Sequence, residues 1–344
     1  MYNVNIHQIT DNNVNDYDAQ VSAFGDIVWE HEFANDDIDL YHYSEGENRI
    51  IAEDTVNEGY ADISDVGHVA FEKEFDAHDQ DIVYYDYFTE QTTVVADTAQ
   101  NEYNPQLTDS HIVYEYEYAP DNLDIRLYDI HNETTIDIAN SEHYEYNPQI
   151  SGDYVTYESE YASGDIDIFR YDIASGETLT IANDTNKETY AQVSENGHVV
   201  YEYEFNSSDI DIKLYDELTG QTRTLATTTY NEINPQIAGD YVTWEAWDGN
   251  DWEIYRHDVL NDHTTQITNN DVNDYNAQVS DQGFVVWEHE FSSTDTNVYL
   301  FAGGDTIELG ASTYNEFNPQ IEGNYATWEA WDGNDFEIYS AEIV

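Results

Sequence analysis

The sequence predicts an all-β protein, an eight-bladed β-propeller of four-stranded antiparallel blades, and three observations predict it. A motif spelled Asn318-Pro319-Gln320-Ile321 in its last copy recurs eight times along 344 residues, at steps of 42 to 44 residues. Each copy holds four short strand signals separated by turn chemistry, and no segment sustains a 3.6-residue period. The last copy carries only three strands, and the missing one lies at the other end of the chain, where Asn5-Ile6-His7-Gln8-Ile9-Thr10 has the pattern of Thr265-Gln266-Ile267-Thr268. A fixed period of about 40 residues marks an array of like supersecondary units. Lending the first strand to the last blade closes such an array into a ring with no unpaired edge inside it. The expected unit is one domain over 1–344, with blades near 11–54, 55–97, 98–140, 141–183, 184–227, 228–269, 270–311, and 312–344 plus 1–10.

Within a copy the anchor is Gln20, Asp62, Gln106, Gln149, Gln192, Gln236, Gln278 or Gln320, set in a brief first strand such as Ala19-Gln20-Val21-Ser22. A turn follows that carries glycine in seven of the eight copies, as at Gly25 and Gly283, the residue expected where φ is positive. The second strand is rich in β-branched and aromatic residues, as in Tyr241-Val242-Thr243-Trp244-Glu245. An acidic loop leads to a third strand, such as Asp167-Ile168-Phe169-Arg170-Tyr171-Asp172, and a turn leads to a fourth, such as Thr178-Leu179-Thr180-Ile181-Ala182. Four copies place Pro before the anchor (Pro105, Pro148, Pro235, Pro319), where a strand start loses no ladder bond.

Composition restricts the solvent and the partners. Asp and Glu number 74 against 8 Lys and Arg, for a formal charge of −66, while 40% hydrophobic residues leave ample material for a core. Such self-repulsion strains a compact state in dilute buffer; at about 1 M salt the screening length falls to about 3 Å and the repulsion fades. The balance resembles that of extreme halophiles. It excludes nucleic acid, which needs clustered cations, and no apolar run is long enough for a spanning helix. With no cysteine there is neither disulfide nor thiolate chemistry. No signal peptide is visible ahead of the first strand.

The spelling Asn-Pro-Gln-Ile, then Tyr-Val-Thr-Trp-Glu, then an Asp-Ile strand and a Thr-Gly-x-Thr turn resembles the TolB-type propeller repeat, in the style of halophile and archaeal cell-surface propellers. The resemblance covers the whole chain. It implies the propeller fold and, from the family's best-known members, an interaction platform.

Two carboxylate series recur in every copy. An acid stands four residues before each anchor (Asp16, Glu58, Glu102, Glu145, Glu188, Glu232, Asp274, Glu316), and a glutamate nine or ten after it (Glu30, Glu72, Glu115, Glu158, Glu202, Glu245, Glu288, Glu329). Propeller topology brings both to one face, either as oxygen ligands for hard cations or as acceptors for backbone amides of their own or the next blade. Recurrence in all eight copies favours the second, since a blade contact is repeated eight times and a site seldom is. The loop before the third strand repeats two acids one residue apart; Asp37/Asp39, Asp165/Asp167 and Asp209/Asp211 are the candidate Ca²⁺ ligands, with turn capping as the plain alternative. The asymmetric feature is Trp-Glu-Ala-Trp-Asp-Gly-Asn-Asp, shared only by copies six and eight. It puts Trp247 and Trp331, with Trp252, beside Glu245 and Glu329 as a candidate ligand-binding face. Glu30-His31-Glu32 and Glu288-His289-Glu290 are weak metal signals, because alternation points each His away from its flanking acids.

No catalytic motif is present. The expected function is a non-enzymatic interaction or adhesion module of an extreme halophile or its virus, at the cell surface, outside the cell or on a virion in high salt. Protein or surface glycan is the partner, without membrane insertion; no cofactor is required, and Ca²⁺ is the one the acid pairs could hold. The alternatives are a carbohydrate-active lyase or hydrolase using paired carboxylates, or a structural subunit of a larger assembly such as a virion.

Overall fold

The computed structural model describes every residue except 1, 35, 36, 54, 77, 78, 120, 121, 163, 293 and 311–313; the expected boundaries at 54 and at 311–312 lie outside the described residues. Among the described residues the chain forms 32 strands and no helix, numbered β1 to β32 in chain order. The first copy sets the pattern: β2 (Asp16–Val21), β3 (Ile27–Ala34), β4 (Asp37–Ser44) and β5 (Glu47–Ala52) pair in that order, each antiparallel to the next. The all-β, antiparallel, four-stranded character expected from the sequence holds.

Among the described residues the hydrogen-bonded sheets number seven rather than eight, six of four strands and one of eight. The larger sheet contains copies four and five, joined by one parallel pairing, Ile166 to Lys187, between β16 (Asp165–Asp172) and β18 (Lys187–Val193). A single backbone contact therefore fuses two otherwise complete four-stranded units.

At the chain ends, β1 (Val4–Gln8) pairs antiparallel with β32 (Phe336–Ile343), from Val4 opposite Ile343 to Gln8 opposite Tyr339. The order β1-β32-β31-β30, with β30 (Glu316–Glu322) and β31 (Tyr325–Trp331), gives the last copy its fourth strand from the first residues of the chain. Deleting residues 1–10 is accordingly expected to bare the edge of β32 and drive self-association, read as a shift from monomer to larger species in size-exclusion chromatography.

Each first strand begins earlier than its sequence signal suggests, because it contains a bulge. The residue two before the anchor has φ between +48° and +54° in every copy: Asp18, Tyr60, Asn104, Asn147, Tyr190, Asn234, Asn276 and Asn318. Asn and Asp tolerate this left-handed conformation and Tyr does so only under constraint. The ladder register breaks there, between Phe317 and Gln320 for example, and the bulge turns one N–H out of the sheet.

Among the described residues, eight clusters of buried apolar side chains hold the copies together, each bridging two neighbouring ones. Val28 and Leu40 of the first copy pack with Val69, Phe71 and Val83 of the second, and Trp29 of the first packs with Ile338 of the last. The turn glycines serve this packing. A Cβ on Gly25 (φ +86°) would lie 2.8 Å from the Tyr325 ring, and one on Gly283 (φ +74°) would lie 2.9 Å from the Tyr241 ring, so a neighbouring tyrosine fits only over a bare backbone.

Candidate functional site

The bulged N–H of each copy is taken by the glutamate of the copy before it. Glu30 accepts from Tyr60 N, Glu72 from Asn104 N, Glu115 from Asn147 N and Glu158 from Tyr190 N, at 2.7–2.8 Å. Glu202 accepts from Asn234 N, Glu245 from Asn276 N and Glu288 from Asn318 N, at 2.7–2.9 Å. Glu329 of the last copy accepts from Asp18 N of the first at 2.8 Å. Glu245 and Glu329, expected on a ligand-binding face, are instead 3% and 4% exposed and occupied by these bonds. Burial, against the bonds they accept, pushes Glu30, Glu72, Glu202, Glu245 and Glu329 up to about 7.

The second series is equally enclosed. Asp16, Glu58, Glu102, Glu188, Glu232 and Asp274 are 0% exposed, and several receive a side chain four residues earlier, as Thr98 to Glu102 and Thr228 to Glu232. Asp16 and Asp274 each take an indole N–H, from Trp29 and Trp287, at 2.9 Å, and each meets a histidine Nδ1, of His31 and His289, at 2.6 Å. The histidines thus pair with a buried acid of their own copy rather than with their sequence neighbours. The strand-two glutamates are thus interior acceptors for backbone amides of the next copy, the reading their recurrence favours, and the second series is buried beside them.

Trp247, Trp252 and Trp331 are half-buried. Trp247 and Trp252 face each other across a hairpin with ring centroids 5.5 Å apart, and Trp331 packs edge-on against Phe336 at 5.0 Å. The acid pairs lie where the third strands begin. Asp39, Asp167 and Asp211 are buried, and Asp37, Asp165 and Asp209 partly so. Burial raises Asp167 to about 6, with Asp165 and Asp184 adding to it, and burial also raises Asp211, reinforced by Asp209. None of these pairs gathers a third acid among the described residues. Such triads occur instead in copies six and eight, at Asp248, Asp251 and Glu253 and at Asp332, Asp335 and Glu337.

The anchors converge. Gln20, Asp62, Gln106, Gln149, Gln192, Gln236, Gln278 and Gln320 all line one cavity of about 440 Å³, with Asp18, Tyr60 and Asn104 towards one side. Asp62 accepts the N–H of Leu107 at 2.8 Å, and burial raises it to about 6. At the turn end of the first strands a second cavity of about 440 Å³ is lined by Asp65, Glu195, Asp281 and Glu322, from copies two, five, seven and eight. Burial, then Asp65 and Asp281, and more weakly Glu195, lift Glu322 to about 7. Asp65, Glu195 and Asp281 are exposed there and Glu322 is half-buried. These four acids escape sequence reasoning because they are not equivalent: three stand three residues after an anchor and Glu322 stands two after.

No protein-family model and no curated protein matches the chain. Solved structures do. One, from a study of two prolyl endopeptidases, matches with a TM-score of 0.66 at 10% identity over 93% of this chain and 55% of that one. The β-propeller domain of the Trilobed protease from Pyrococcus furiosus, described as having an open velcro topology, matches with a TM-score of 0.62 at 13% identity, over 89% of this chain and 98% of that one. The fold is a β-propeller. An oligogalacturonate lyase in complex with manganese matches with a TM-score of 0.58 at 11% identity, over 100% of this chain and 96% of that one. The propeller spans little more than half of the endopeptidase chain. These likenesses correct the expectation of a non-enzymatic adhesion module from a halophile or its virus: the propellers this chain resembles come from peptidases and a lyase.

Proposed function

We propose that this propeller is a carbohydrate-active enzyme, a glycoside hydrolase whose catalytic carboxyls stand at the acidic mouth of a channel through a closed, eight-bladed ring of TolB type. The observation that carries the reading is Glu322, held near 7 while sharing a cavity with Asp281, Asp65 and Glu195. Glycosidic hydrolysis needs one carboxyl that carries a proton near neutral pH and a second that serves as base or nucleophile. Glu322 protonates the glycosidic oxygen as the bond to the anomeric carbon breaks, and Asp281 takes the proton of the attacking water. The ring is supported by the Glu329 to Asp18 bond, the pairing of β1 with β32 and the convergence of all eight anchors on one cavity. The likeness to a lyase that this chain spans end to end supports sugar chemistry in such a ring. The formal charge of −66 favours neutral over anionic glycans.

The test is hydrolysis of neutral oligosaccharides bearing a chromogenic leaving group, with rates followed against pH. Activity is expected to decline as pH rises through about 7, where Glu322 loses its proton. Glu322→Gln is expected to lower kcat by about a hundredfold or more, and Asp281→Asn comparably. Full activity in Glu322→Gln, or no cleavage of neutral or uronic glycans with or without manganese, would overturn the reading.

A further inference from the structure

We propose that the loops Asp248–Glu253 and Asp332–Glu337 are two equivalent binding sites for a hard divalent cation of the calcium class. One lies where the sixth copy meets the seventh, the other where the eighth meets the first. The proposal is independent of the catalytic reading. In each loop, one carboxylate oxygen from each of three acids lies within 4.8 Å of the other two. What points to a ligand is the state of the inner acids. Asp251 and Asp335 are 3% exposed, and Glu253 and Glu337 are 0% exposed. Neither carboxylate oxygen of Asp335 has a hydrogen-bond partner, nor do Oδ2 of Asp251 and Oε2 of Glu253 and of Glu337. Buried carboxylate oxygens without a donor are disfavoured while charged; a proton or a water relieves one of them, whereas a cation meets three converging ones at once.

The two loops also depart together from the other six. Those copies put an exposed Phe or Tyr, such as Phe33 or Tyr118, where Asp248 and Asp332 stand. They put the shorter Asp or Asn, such as Asp39 or Asn297, where Glu253 and Glu337 stand. Turn capping explains neither change. The outer acid is fixed by the turn, since Asp248 Oδ1 accepts the N–H of Asn250 at 2.8 Å and Asp332 Oδ1 that of Asn334 at 2.7 Å. Three carboxylates with water completing the shell suit Ca²⁺, which takes six to eight oxygen ligands in flexible geometry. The free Oε2 of each glutamate is the ligand, because its other oxygen is engaged across the junction. Glu253 Oε1 accepts Asn270 N at 2.7 Å and Glu337 Oε1 accepts Asn12 N at 2.8 Å. Loading either site therefore braces a junction, and the second braces the segment that joins the chain ends.

Trp247 and Trp331 directly precede the outer acids, so they serve as antennae for Tb³⁺. Titration of the full chain with Tb³⁺ under indole excitation is expected to give saturable emission that Ca²⁺ reverses, with two ions per chain by calorimetry. Asp248→Ala and Asp332→Ala, both at exposed positions, are each expected to remove one ion, and together both ions and the sensitised emission. Asp209→Ala in another loop is expected to keep two. Undiminished emission in the double variant, or uptake that K⁺ at equal ionic strength suppresses as fully as Ca²⁺ does, would overturn the assignment.

Discussion

Glu329→Ala is expected to lower stability by about 2–3 kcal/mol, more than any exposed acid on the chain. Its carboxylate accepts the backbone N–H of Asp18, 311 residues away, and the side-chain N–H of Asn318 at 2.9 Å. Alanine leaves the first donor buried at the seam between the last and first copies, with a void beside it. Both donors meet Oε1, so Glu329→Gln keeps a carbonyl oxygen for them and is expected to lose less. Because the seam joins the chain ends, both variants should unfold faster while refolding at nearly the parent rate, if the seam forms late. Chemical denaturation with stopped-flow mixing measures this. Equal stability of parent and alanine variant would show that the clasp contributes nothing.

The second large effect is an inverted pH dependence. Most proteins lose stability in acid because their carboxylates are more acidic when folded. Here burial raises five interblade glutamates to about 7, and raises Asp81, Asp124 and Asp167 to about 6. A carboxyl whose folded pKa is raised binds its proton more tightly in the native state. Its contribution is complete below the unfolded value of about 4.3 and is lost as pH rises through about 7. The thermal midpoint is therefore expected to fall by several degrees between about pH 5 and about pH 8. Added salt should recover more of the loss at the alkaline end, where the net charge is greater. Calorimetric scans at about 0.1 M and about 2 M KCl across that range check both slopes, and a midpoint that climbs with pH would contradict them.

How much of this was legible depended on whether a feature repeats. The 42- to 44-residue period, the four strand signals and the kinship of residues 5–10 with 265–268 stand openly in the sequence; the strand signals and the kinship correspond to pairings, while eight periods are matched by seven sheets. The use of the strand-two glutamates as acceptors was half legible. Their presence in all eight copies argued for a repeated contact, but the donor was hidden, since the φ of +51° at Tyr60 and +53° at Tyr190 has no residue signal. Asn at five of the eight bulges was the available hint. The acidic mouth was not legible. Asp65, Glu195, Asp281 and Glu322 fall at unequal offsets in four copies, and only the arrangement of the sheets brings them to one cavity. The Asp-Gly-Asn-Asp loops were visible as a shared spelling, yet nothing in one sequence tells that Asp335 is enclosed while Asp332 is exposed.

On the proposed function the acids of this chain divide into those that join copies and those that act on a glycan, and one paired comparison tests that division. Thermal midpoint and glycan turnover are measured near pH 7.5 for Glu329→Ala, which removes the acceptor itself, and Glu322→Gln alongside the parent chain. The predicted result is a lowered midpoint with turnover kept at permissive temperature for the first variant. For the second it is an unchanged or raised midpoint with turnover lost, because removing a crowded charge relieves Asp65, Asp281 and Glu195. The reverse pattern, with Glu322→Gln unfolding early and still turning over, would contradict it.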